Sequence, residues 1–396
     1  MHRLIPLLCV GMVLGSCTGS GPIHFGAVLP LTGASAVYGE SVRKGIELAF
    51  EQVQARPDEE HAYELTILDS QSDPAIAAQH ARQLYDDGVL AIIGGVTTAE
   101  ALAMVPVADR ADRVLLSPSA SSPELTGLSK NFFRVFFSDF DEGTKMGNFA
   151  ASKGYKSVVI LAKEEPWAAG VQQIFAEEFE RNSGQVLEIV EFPESTSDFS
   201  GLVGRVNTLK PDAVYLAAYA QDVAKLVTEL KASGYGGKIL TSHAFASPSV
   251  LADVGAAAHG VLLTAPHFEI DAEGEPIRSF VEAYDAKFGE VPDVWAAHGY
   301  DALMVFVEAI PKPFRTASDF RAGLRAIEDH PGVAGTIRFD ERGDVGKFPR
   351  VYQVVEGGLR DYETDITGEK EELMRQLREL REKRRKAAMQ QGREDG

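Results

Sequence analysis

Short unbroken apolar runs alternate along this chain with segments whose apolar residues recur at helical spacing, and this constrains the fold more than any other feature. The first unit sets the pattern. Ile23 to Leu29 reads as a short strand, Pro30 breaks it into a loop bearing Gly33, and a helix runs from Ser41. On that helix Val42, Ile46, Ala49, Phe50 and Val53 share one face.

The unit then repeats. Strands are predicted at Leu65–Asp69, Val89–Gly94, Val114–Ser117 and Phe132–Phe137, with helices at Ile76–Asp86 and Ala99–Arg113. Pro106 interrupts the second of these helices, where its missing amide is expected to produce a kink. The same grammar restarts at Lys156. Strands at Ser157–Leu161, Val186–Phe192, Ala213–Ala217, Lys238–Thr241 and Val261–Thr264 alternate with helices at Ala168–Arg181, Phe199–Leu209, Asp222–Ala232 and Ser247–Asp253. Three further helices, at Pro276–Phe288, Ala296–Ile310 and Ala317–Ile327, precede late strands at Gly335–Phe339 and Arg350–Val355.

Strands alternating with helices imply parallel sheets and right-handed crossovers. The apolar runs are too unbroken for antiparallel strands with one wet face. Two such series predict an α/β protein of two lobes, and a strand placed so late implies that the chain crosses back between them. The length of 396 residues exceeds one ordinary core and agrees with that division.

Composition narrows the function. A net charge of −19 argues against nucleic acid as a partner. Both cysteines, Cys9 and Cys17, lie in the first seventeen residues, so the body carries neither a disulfide framework nor a cysteine-ligated metal site.

Met1-His2-Arg3 is a short basic start, and the apolar run from Leu4 to Leu14 falls well short of the ~20 residues of a spanning helix. Leu14-Gly15-Ser16-Cys17 has the form of a bacterial lipobox, in which Cys17 is lipidated and becomes the mature N-terminus. The alternative is an ordinary secretory signal cut near Ser16 or Cys17. Residues 1–17 are therefore read as a lipoprotein signal peptide and 18–22 as a tether, with the protein anchored to a membrane and facing the periplasm or cell exterior. At the other end, residues 368–396 form a charged helical tail, either solvated or in contact with a partner or an anionic membrane surface.

Two loops carry the chemistry. Each follows a strand and each is rich in small hydroxyl residues: Thr97-Thr98 and Ser119-Ala120-Ser121-Ser122. Thr98 and Ser122 can serve simply as helix caps. Two such loops at the carboxyl ends of strands in one lobe also mark the place where open α/β sheets bind ligands, and the free amides that open a helix suit an anion. Enzyme motifs are missing. Gly94-Gly95 makes neither a dinucleotide fingerprint nor a P-loop, no Gly-x-Ser-x-Gly elbow occurs, and His61, His80, His243, His259 and His298 lack metal-type spacing.

Gly26-Ala27-Val28-Leu29-Pro30-Leu31-Thr32-Gly33, with Tyr38-Gly39 and Gly45, resembles the start of the branched-chain amino-acid (Leu/Ile/Val) binding proteins, the type I periplasmic solute-binding family of ABC importers. Ser117-Pro118 through Pro123-Glu124-Leu125-Thr126 is similar to that family's second ligand loop. Asp198-Phe199-Ser200 with Pro211-Asp212-Ala213-Val214-Tyr215 resembles its second-lobe signature, and His298-Gly299-Tyr300-Asp301-Ala302 its late helix. The likeness runs from about Ile23 to Gly358.

The resemblance implies two Rossmann-like lobes, residues 23–139 plus 268–344 and residues 140–267 plus 345–367, joined by three crossovers near Asp139, His267 and Asp344. It implies a monomer that captures a small polar ligand, an amino acid, amide or small carboxylate, in the cleft between the lobes and presents it to a membrane permease. No catalysis and no cofactor are implied. Thr98, Ser119 and Ser121 match positions that hold the ligand's α-carboxylate and α-ammonium, and Tyr38 matches an aromatic at the cleft rim. Trp167 and Tyr219 match second-lobe tyrosines that pack over the ligand, ordinary core packing being the alternative for both. On this reading Trp167→Ala weakens ligand binding and leaves folding intact. One departure stands out: His243 occupies the position where the family commonly presents a glutamate to the ligand's ammonium. Either Asp222 or Glu165 supplies that charge, or the ligand is not a plain α-amino acid. A lipoprotein of this fold that acts as an envelope interaction or sensory partner, such as a cell-wall synthase activator, is the alternative function.

Overall fold

In a computed structural model, residues 21–362 are described, apart from 58, 269, 271–273, 311–315 and 357. The signal peptide, Cys17, most of the tether and the charged tail at 368–396 lie outside the described residues.

The first series folds as β1 (Ile23–Leu29), α1 (Ala36–Gln54), β2 (Tyr63–Asp69), α2 (Pro74–Asp86), β3 (Ala91–Gly94), α3 (Thr98–Ala111), β4 (Val114–Ser117) and β5 (Phe132–Arg134). Its five strands form one parallel sheet in the order β2-β1-β3-β4-β5. The second series folds as α4 (Asp139–Ser152), β6 (Ser157–Lys163), α5 (Pro166–Arg181), β7 (Gln185–Phe192), α6 (Ser200–Leu209), β8 (Ala213–Ala217), α7 (Ala220–Ala232), β9 (Lys238–Thr241), α8 (Pro248–Val254) and β10 (Leu262–Ala265). Helices α9 (Ile277–Phe288), α10 (Val294–Glu308) and α11 (Ala317–Arg325) follow, then β11 (Arg350–Val355) and β12 (Gly358–Asp361). The second sheet runs β12-β11-β10-β9-β8-β6-β7, parallel except where β11 and β12 join antiparallel.

Residues 158–162 of β6 and 213–217 of β8 are wholly buried, because helices cover both faces of a parallel sheet. Phe25 in β1 meets Phe306 of α10 at 5.1 Å and Phe320 of α11 at 6.1 Å between ring centroids, so the late helices cover the first sheet. β11 returns the chain to the second.

The span Gly335–Phe339 is not a strand. Ile337 and Phe339 do point inward, but they make only isolated bridges to His330 and Val345. The alternation was a record of burial, with no partner strand beside it. β5 is also shorter than its apolar run: Val135, Phe136 and Phe137 leave the sheet and are buried between the two series.

α1 and α10 approach closely enough to exclude side chains. A Cβ on Gly45 would lie 1.9 Å from the Ala296 carbonyl oxygen, and one on Gly299 would lie 2.4 Å from that of Val42. Gly45→Ala is therefore expected to force the helices apart at a cost of about 1–3 kcal/mol, measurable as a lower urea midpoint with an unchanged m-value.

Candidate functional site

Loops at the carboxyl ends of β1, β3 and β4 in the first sheet and of β6, β8 and β9 in the second converge on one small closed cavity of about 20 Å³. Its lining comprises Tyr38, Val96, Thr97, Thr98, Ser119, Ala120, Ser121, Trp167, Tyr219, His243, Ala244 and Trp295. All but Tyr219 are buried, so the two halves are closed on each other.

Gly95 turns the chain out of β3 with φ of +66°, and a Cβ there would strike Ala101 at 2.7 Å. Thr97 then caps α3 in a reciprocal box with Glu100. The cap is Thr97 rather than Thr98, which leaves the Thr98 hydroxyl to accept from the Ser122 amide at 3.4 Å. Ser122 caps the short turn that follows. The second loop is pinned to the first: Ser117 Oγ donates to the Gly95 carbonyl and Ser119 Oγ to that of Val96, both at 2.7 Å. In the lining, Thr98 and Ser119 are thus each held by backbone from the neighbouring strand's loop.

Five rings close into a belt around the cavity. Trp167 stacks on Tyr219 at 5.1 Å, Tyr219 meets Tyr38 at 6.0 Å, and Tyr38 meets Trp295 at 4.9 Å. Trp295 lies 5.5 Å from His243, which returns to Trp167 at 5.6 Å. The Tyr38 hydroxyl ties the halves together, donating to the Ala244 carbonyl at 2.8 Å and accepting from the Ala220 amide at 2.9 Å. Burial and the Ala220 bond act on this phenol in opposite directions, and burial prevails, holding its pKa far above the usual tyrosine range.

Of the sequence-predicted residues, Tyr38, Thr98, Ser119, Ser121, Trp167, Tyr219 and His243 line the cavity. Asp222 does not. It lies on α7 and pairs with the buried Lys163 at 3.0 Å. Glu165 is also set back, capping α5 through the Ala168 amide and accepting from the Tyr219 hydroxyl at 3.2 Å. Neither lines the cavity, although Glu165 bonds directly to its Tyr219.

Sequence reasoning missed Trp295, Asp139 and Glu142. Glu142 is wholly buried, accepting from the His243 amide and Thr264 Oγ1 on one oxygen and holding His243 Nδ1 at 2.7 Å on the other. Asp139 Oδ1 accepts from Trp167 Nε1 at 3.2 Å, and among the described residues its Oδ2 has no hydrogen-bond partner. Burial first, then the neighbouring Glu142, pushes the Asp139 carboxyl well above the usual carboxylate range. Asp139, Glu142 and His243 bring ligating atoms within 4.8 Å of one another, but Glu142 is saturated by its own hydrogen bonds, which favours a packed polar trio over a metal centre.

Glu165 carries a testable charge. Burial raises its pKa to about 7 against the opposing bonds from Ala168 and Tyr219. A carboxyl whose folded pKa is raised stabilises the fold fully below its unfolded value of about 4.3, and that contribution is lost as pH rises through the folded value. Glu165→Gln is expected to flatten the fall in stability between roughly pH 4 and 7, read from urea midpoints across that range.

The family profile described as periplasmic binding protein matches residues 22–358. The leucine-, isoleucine-, valine-, threonine- and alanine-binding protein of Pseudomonas aeruginosa is 23% identical over 352 residues, covering 88% of this chain and 94% of its own. The crystal structure of a leucine-binding protein from Thermotoga maritima has a TM-score of 0.81 at 30% identity, covering 86% of this chain and 97% of that one. A solute-binding protein of an ABC transporter from R. palustris, solved with benzoate, shares the fold at a TM-score of 0.79 and 19% identity, covering 86% and 96%. A profile that runs from β1 to the end of β11 and takes in every loop around the cavity shows that this chain belongs to the periplasmic binding protein family.

Proposed function

We propose that the protein is an extracytoplasmic solute-binding component of an ABC importer, capturing a small amino acid or carboxylate and presenting it to a membrane permease. The observation that carries this reading is a closed cavity built jointly by loops of both sheets. A ligand touching both halves stabilises the closed form by its extra affinity for it, so capture drives closure without any chemical step. In this reading residues 23–139 plus 268–344 move as one lobe and 140–267 plus 345–367 as the other, and lipidated Cys17 tethers the protein to the membrane. Among relatives of this fold, one is named for leucine and another was solved with benzoate, so the lining rather than the fold selects the ligand.

A thermal-shift screen of amino acids, amides and small carboxylates tests the proposal. A true ligand at ~100 times its Kd adds about 2.7 kcal/mol to stability. A broad panel in which no member raises the Tm would overturn solute capture.

A further inference from the structure

We propose that Glu165 is a positioning residue for ligand recognition. Without lining the cavity itself, it holds the Tyr219 hydroxyl and so fixes the stacked Trp167–Tyr219 pair as one wall. The role rests on solute capture at this cavity.

One carboxylate serves two loops. Oε1 of Glu165 accepts from the Ala168 amide at 2.9 Å and caps α5, whose first turn carries Trp167. Oε2 accepts from the hydroxyl of Tyr219, at the start of α7, at 3.2 Å. The two rings held in this way stack at 5.1 Å with 14° between their planes.

Capping alone does not call for this residue. Short side chains are the usual caps, and the other acids that cap α-helices among the described residues are aspartates, Asp73 on α2 and Asp293 on α10. Asp293 stands two residues before Trp295 as Glu165 stands before Trp167, and its second oxygen takes the Ser41 hydroxyl at 2.8 Å. An aspartate at 165 would keep the cap and lack the methylene that carries the carboxylate on to Tyr219.

Lys163 completes the setting. Its Nζ pairs with Asp222 at 3.0 Å and lies 6.0 Å from the centre of the Tyr219 ring. The titratable groups around Glu165 and Tyr219 are thus Lys163 on β6, Asp222 on α7, Tyr38 on α1 and Glu100 on α3, while Trp167 also meets Asp139 and His243. A carboxylate holds a phenol about twice as strongly as a neutral acid does, so the grip on Tyr219 tightens as Glu165 ionises.

Trp167 and Trp295 are the chain's two tryptophans and both line the cavity, so intrinsic fluorescence of the full chain reads this wall directly. Without added solute, wild-type emission is expected to titrate at about pH 7, where burial places the Glu165 carboxyl, and Glu165→Gln is expected to be flat there. A titration that survives in Glu165→Gln, or that disappears only in His243→Gln or Asp139→Asn, overturns the proposal. Binding of L-leucine, of benzoate and of each panel solute that raises the Tm is then measured by isothermal titration calorimetry above that midpoint. For every solute the wild type binds, Glu165→Asp and Tyr219→Phe are each expected to weaken binding at least about fivefold, the scale of one hydrogen bond, and the double variant no further than either. Glu165→Asp keeps the α5 cap, so its unliganded urea midpoint is expected to stay near that of the wild type. If Glu165→Asp fails to fold, Tyr219→Phe and the emission titration decide. A loss below about fivefold, or losses that add in the double variant, overturns the role of Glu165 and leaves solute capture standing. A wild type that binds none of these solutes overturns both.

Discussion

Replacing Arg134 with alanine is expected to cost the folded protein about 3–5 kcal/mol, the usual penalty for breaking a buried ion pair from one side. Arg134 has no exposed surface. Its guanidinium forks onto Asp344, Nε to Oδ1 at 2.7 Å and Nη2 to Oδ2 at 2.8 Å, while Nη1 donates to the Ser122 carbonyl at 3.0 Å. Thr126 Oγ1 bridges the pair, 2.6 Å from Nη2 and 2.7 Å from Asp344. One side chain therefore ties the end of β5, the hydroxyl loop after β4 and the segment that leads into β11. Truncation leaves Asp344 facing a void and frees the backbone that positions Ser119 and Ser121. Urea denaturation measures the first effect, and a weaker ligand-induced Tm shift the second. Arg134→Lys keeps the charge but not the fork and is expected to fall between. Arg134→Met with Asp344→Asn removes both charges and is expected to recover part of the loss. A single-variant loss under about 1 kcal/mol would mean that the pair is not desolvated as described.

The parts of this fold that were legible in the sequence are those whose pattern is set by burial alone. Val42, Ile46, Ala49 and Val53 recur at helical spacing because one face of α1 is wholly buried, and β6 reads as an unbroken apolar run because both its faces are covered. β12 escaped notice because it is an exposed edge strand, Gly-Leu-Arg-Asp, with no apolar face to advertise it. The span Gly335–Phe339 shows the opposite error, since inward alternation speaks of burial and not of a neighbouring strand. The cavity follows the same division. Hydroxyl loops after β3 and β4 could be found because parallel topology gathers strand ends at one edge. Trp295 had a usable signal: it stands in the first turn of α10 just after its capping Asp293, as Trp167 stands after the capping Glu165 of α5. Glu142 had none. Its partners His243 and Thr264 are 101 and 122 residues away, and only the folded chain brings them together.

Trp167→Ala is expected to lose both stability and ligand response, which revises the expectation from sequence that folding would be left intact. The ring is 2% exposed, stacks on Tyr219, and donates through Nε1 to the buried Asp139. It is thus core and cavity wall at once. Truncating a buried tryptophan costs about 3–5 kcal/mol, and the void lies where a ligand would be covered. Unliganded stability and ligand response must therefore be measured separately. Trp167→Phe separates them, keeping a ring against Tyr219 while removing the indole donor to Asp139. Its unliganded cost is expected at about 1–3 kcal/mol, that of one buried hydrogen bond, with ligand response largely retained because the π-face remains. If Trp167→Phe instead abolishes ligand binding at near-native stability, the indole acts through the Asp139 carboxylate that its N–H holds, and Asp139 is part of the recognition apparatus.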